Sequence, residues 1–219
     1  MAKSKKIYAW KDPGALGKWS VVLLAITVVQ QLAALGLNLI FGAAASYAPD
    51  IETFTAPQLA KWAVDMVEIL LLLTSIVWGA WIWRVNSNAH VFKPSVRFSP
   101  LGAVGFYFVP FVSLFLPFQA MEEIWFVSAG KTTQTPLVMR WWWAALLLSN
   151  FLGLFALRLP PADAAPLSAL GNLGSIVCCL TFIHIVRQIT AMQRERYPLI
   201  QLGDLPSDGD SVIERLSAG

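Results

Sequence analysis

Four stretches of this chain stay apolar for the ~20 residues that a helix needs to cross hydrocarbon, and a fifth falls just short. The four are Trp19–Phe41, Leu59–Trp83, Val138–Leu157 and Leu167–Ile189. Between them lie short polar segments. Ala45–Pro57 holds Pro49, Asp50, Glu52 and Pro57 and no basic residue. Residues 84–99 read as a polar, basic loop with Arg84, Asn86, Asn88, His90, Lys93, Pro94 and Arg97. Ala129–Pro136 is a polar turn, and Arg158–Pro166 a short loop rich in Pro and Ala. Beyond Ile189 polarity returns, with a helix expected to about Glu195. The pattern predicts an all-α, polytopic membrane bundle: a basic tail at 1–18, a membrane domain at 19–190 and a polar tail at 191–219. Trp78, Trp81 and Trp83 at the end of the second span read as an interfacial aromatic belt.

The fifth stretch, Leu101–Phe118, decides the topology. Pro110 interrupts it, Gly102 and Gly105 loosen it, and Gln119-Ala-Met-Glu-Glu-Ile-Trp125 follows its final Pro117-Phe118. A proline removes a backbone donor and breaks a regular helix, and irregular backbone at membrane depth must be covered by protein or line a cavity. Two arrangements compete: a re-entrant or interfacial segment beside four spans, or a kinked fifth span. Charge separates them. With five spans and the N-terminus inside, 9 of the 16 Lys and Arg lie on the inner side; with a re-entrant segment, 14 do, leaving only Lys61 and Arg158 outside. Basic residues favour the cytoplasmic side, so the expectation is four spans, a re-entrant segment and both termini cytoplasmic.

Composition supports the membrane class. Hydrophobic residues make up 57% of the 219 positions and charged ones 13%, against about a quarter charged in soluble domains. Mean hydropathy is +0.60. A net charge of +3 would suit nucleic acid, but the basic residues flank apolar runs as topogenic charge does, and no nucleic-acid partner is expected. A cleaved signal peptide is disfavoured, because Trp19–Phe41 exceeds the 7–15-residue core of such signals. Cys178 and Cys179 are adjacent in an apolar run, which suits neither a disulfide framework nor a zinc site.

Few residues could carry chemistry. Asp65 and Glu68 share a face of the second span, and Glu68, about 12 Å inside by helix rise, is the candidate intramembrane acid. A structural role, pairing with Gln30, Gln31 or Asn38, is the leading reading for it. Arg84, Asn88, Glu122, Glu123 and His184 form the candidate polar cluster near the inner face, with one of the two glutamates expected against Arg84 or Arg140. His184 alone reads as a packing residue. No catalytic set, metal site or cofactor motif is present in the sequence.

A series of motifs in the middle of the chain does carry a resemblance. Trp81-x-x-Arg84-x-x-x-Asn88-Ala89, Phe98-Ser-Pro100, Ala103-Val-Gly105, Phe108-Val-Pro110, Pro117-Phe-Gln-Ala-Met-Glu122 with Ile124-Trp125, and Trp141-Trp142 resemble domain of unknown function 4328, over residues of about 76–150. Leu101-Gly102 and Ser113 depart from its pattern. The resemblance implies a bacterial multi-spanning membrane protein and offers no activity. The expected function is therefore a non-enzymatic scaffold or accessory component of the bacterial inner membrane, with the lipid bilayer around it and a protein partner at its cytoplasmic face. A small transporter or permeation unit with a polar cavity beside the broken segment is the alternative.

Overall fold

The computed structural model describes residues 8–47, 57–130 and 134–202; the side chains of residues 37–47, 57–66, 68, 161 and 162 lie outside that description. Six α-helices follow in chain order: α1 (Gly14–Tyr47), α2 (Pro57–Phe92), α3 (Pro100–Gly105), α4 (Leu116–Ala129), α5 (Leu137–Ala156) and α6 (Pro161–Gln201). Four helices are long and apolar enough to cross a membrane, through Gly14–Gly36, Ile69–Phe92, Leu137–Ala156 and Asp163–Gln201. The described residues contain no strand.

The chain divides into two units. One comprises Ser20–Ile76 and Pro136–Ile185. In it α5 and α6 run antiparallel: Trp142 stacks on Phe182 at 5.2 Å, and a Cβ on Gly174 would stand 3.2 Å from that of Ser149. Small residues let helix backbones approach where no hydrophobic effect drives them together.

The other unit gathers Met1–Trp19, Val77–Thr135 and Val186–Gly219. The end of α2 corrects the expected loop at 84–99, since its first half is helix through Phe92. Asn86 and Asn88 disfavour helix by propensity, but Trp81, Ile82, Val85, Ala89 and Phe92 repeat at helical spacing and are fully buried. Burial overrides propensity here. Trp81 also leaves the expected aromatic belt, donating from Nε1 to Thr190 Oγ1 at 3.1 Å, while Trp83 stays exposed. Likewise α6 runs past Glu195 to Gln201, because Tyr197 and Ile200 pack on Ala89, Phe92, Val96 and Val127.

No single helix forms over 101–118. Ser99 caps α3 through Gly102 N–H, and a 3-10 turn at Phe106–Phe108 follows. The chain reverses at Pro110-Phe111, and a second 3-10 turn at Val112–Leu114 leads into α4. Phe111 has φ +62° and ψ −43°, a strained conformation for a bulky residue. The result is a hairpin laid along α2. Its descending arm starts at Phe98, whose carbonyl meets His90 Nε2 at 3.0 Å, and reaches Tyr107, edge-on to Trp78 at 4.8 Å. Between His90 and Trp78 the α2 axis covers about 18 Å. The rising arm, from Leu116 to Ser128, spans the same ~18 Å and brings Val127 back to Ala89 and Phe92. From Phe98 to Met121 the hairpin has no charged residue or histidine. Its turn exposes Phe108, Phe111 and Phe115, with Phe111 83% accessible.

Candidate functional site

Of the expected cluster, the structure places Arg84, Asn88, Glu122 and Glu123 in the three-segment unit. His184 belongs to the other unit, where it is exposed on α6 and no hydrogen bond among the described residues engages it. Glu68 lies in α2 with its side chain outside the description.

Asn88 sits at the centre. It is fully buried, so each of its polar atoms must be paired or cost the unit stability. Its Oδ1 accepts from Lys11 N–H at 3.1 Å, and its Nδ2 donates to Lys11 C=O at 2.9 Å. One side chain thus holds the backbone of the N-terminal segment on both sides, as a neighbouring strand would. The second Nδ2 hydrogen goes to Gln193 Oε1 at 3.0 Å. Gln193, also fully buried, donates from Nε2 to Val85 C=O at 2.9 Å and to Ser128 Oγ at 3.0 Å. Sequence reading missed Gln193, although it continues the buried stripe Phe182, Ile185, Val186, Ile189 at helical spacing.

The residues before α1 form an extended strap over this centre. Tyr8 stacks on His90 at 4.6 Å, and Trp10 on Tyr197 at 4.1 Å. Asp12 pairs with Arg194 at 2.9 Å and accepts from Gly14 N–H at 2.9 Å. Arg84 donates to the Asp12 carbonyl at 3.3 Å. Desolvation pushes the Asp12 carboxyl up, but the Gly14 bond and the Arg194 and Arg84 guanidinium groups outweigh it and hold the group below its ordinary 3.8.

Neither glutamate meets Arg84 or Arg140. Glu123 spans the base of the hairpin, accepting from Arg97 N–H at 2.7 Å and Phe98 N–H at 3.2 Å. Glu122 accepts from Thr135 Oγ1. The physical reason is local: the loop before α3 presents two backbone donors beside α4, and a carboxylate has two oxygens to offer them. Among the described residues, no three His, Cys, Asp or Glu gather as a metal site. The arrangement joins segments through the polar contacts of Asn88, Gln193, Glu122 and Glu123, while Asn86, also fully buried, has no hydrogen-bond partner for either side-chain polar atom among the described residues.

An all-helical chain with four span-length apolar helices and a hairpin buttressed by its own polar contacts defines a multi-pass helical membrane protein. It belongs to the family of the domain of unknown function DUF4328, which matches residues 45–191. The match extends on both sides of the 76–150 block in which the motifs stand. No curated protein and no solved structure matches the chain.

Proposed function

We propose that this protein is a non-enzymatic scaffold or accessory component of the bacterial cytoplasmic membrane. In this reading both termini are cytoplasmic, residues 101–118 re-enter from that side, and a protein partner docks at the cytoplasmic face. The observation that carries it is the spent state of four of the five residues in the candidate polar cluster. Asn88, Glu122, Glu123 and Arg84 all bond to the unit's own backbone or side chains. A conduit needs polar groups free to replace an ion's hydration, and these are committed to holding segments together. The hairpin supports re-entry because its uncharged arms lie beside Trp78 and Gly79, inside the apolar window Ile69–Phe92.

Flux measurement in reconstituted vesicles tests the scaffold against the permeation alternative. The expected result is no ion or solute flux above protein-free vesicles, and no change with Glu68→Gln. Asn88→Ala is expected to lower folded yield, because it strands Gln193 Oε1 and the Lys11 backbone. A flux that Glu68→Gln alters at unchanged protein level would sink the scaffold reading.

A further inference from the structure

We propose that the strap Tyr8–Asp12 is a releasable latch whose seating on Asn88 fixes the rising arm of the hairpin through Gln193 and Ser128. Every link is a hydrogen bond between buried or half-buried groups, and the links are consecutive. Lys11 bonds Asn88 in both directions, Asn88 bonds Gln193, and Gln193 bonds Ser128 of α4.

The chemistry of the two amides makes the chain directional. An amide has one oxygen and one NH2 at fixed places, and both NH2 hydrogens of Asn88 and of Gln193 are in use. With the strap seated, Lys11 N–H and C=O dictate which way the Asn88 amide faces. With the strap gone, only Gln193 holds that amide in its buried site. If Asn88 turns over, its oxygen faces the Gln193 oxygen. Gln193 then has to turn as well, which takes its NH2 away from Ser128 and Val85. The latch state is thereby passed to α4, the arm that closes the hairpin.

Two of the strap's attachments suit release, beside the packing of Trp10 on Ala89, Phe92, Val96 and Val127. Its ion pair joins side chains 57% and 45% exposed, the class of pair that contributes least and is screened by salt. Its backbone grip on Asn88 depends on no particular side chain at Lys11. The strap and Gln193 both lie outside the family-matched residues 45–191, whereas Asn88 and Ser128 lie within them. The latch is thus built by the flanks of the chain onto the matched domain.

Amide hydrogen exchange on the full chain in lipid nanodiscs tests this. Lys11→Pro removes the N–H that Asn88 Oδ1 accepts and touches no core side chain. It is expected to speed exchange several-fold both in the strap and in residues 116–129. Gln193→Leu cuts the relay beyond the latch and is expected to speed exchange in 116–129. If Lys11→Pro lowers total helicity, Tyr8→Ala, which removes the strap's stack on His90, decides in its place by the same criterion. Faster exchange in the strap with α4 unchanged overturns the latch, as does an unchanged α4 in Gln193→Leu. These outcomes are independent of the flux measurement.

Discussion

Among the strap's side chains, Asp12 carries a charge that acid alone removes. Its carboxyl is held below its unfolded value by Gly14 N–H and by Arg194 and Arg84. A group with a depressed folded pKa contributes stability that is full above the unfolded value and is lost as pH falls through the folded one. Strap seating is therefore expected to be constant above about pH 4 and to weaken below it, with Asp12→Asn showing the weakened state at every pH. Tyr8 and Trp10 fluorescence between pH 3 and 7 reads this; a pH response that survives in Asp12→Asn assigns it elsewhere. At this scale the sequence was uneven as a guide. Asn88 was legible as a polar residue beside an apolar run, but its partner was not. Gln193 stands among Arg194, Glu195 and Arg196, where polarity suggested a solvated tail. Only the helical spacing from Ile185 and Ile189 marks it as inward-facing.

At the scale of elements, the hairpin depends on its two ends. The turn stores backbone strain at Phe111, of the order of 1–3 kcal/mol, so its base must hold the arms together. Glu123 does this with one oxygen for each of two backbone donors. Glu123→Gln keeps a single acceptor and Glu123→Ala none. The expected losses are about 1 kcal/mol for the first and about 2 for the second, at the lower end for bonds beside solvent. For a chain of this length that is a fall in Tm of roughly 2–4 °C per kcal/mol, measured in one detergent for all three proteins. Equal melting temperatures would remove Glu123 from the hairpin's support. The broken character of 101–118 was legible because Pro110 and the two glycines announce it. The helix at 84–92 was not, because asparagines that signal loops in water here take inward positions, Asn88 bonded to segments distant in sequence and Asn86 buried without a partner among the described residues.

For the molecule as a whole, the number of long apolar helices was readable from hydropathy alone, since length and composition suffice for that. The grouping of segments was not, because nothing local says that residue 11 meets residue 88, or 128 meets 193. That grouping bears on topology: the strap, the hairpin and the end of α6 occupy one unit. Reporter fusions after Ser128 and after Gly219 are accordingly expected to give a cytoplasmic signal at both sites. A periplasmic signal at both would overturn the re-entrant topology. The Ser128–Gln193 bond, across 65 residues, also has a consequence for biosynthesis. At 5–20 residues per second, Gln193 leaves the ribosome roughly 3–13 s after Ser128. Over that interval the rising arm lacks the bond from Gln193, so the hairpin's final seating waits on translation of the last helix.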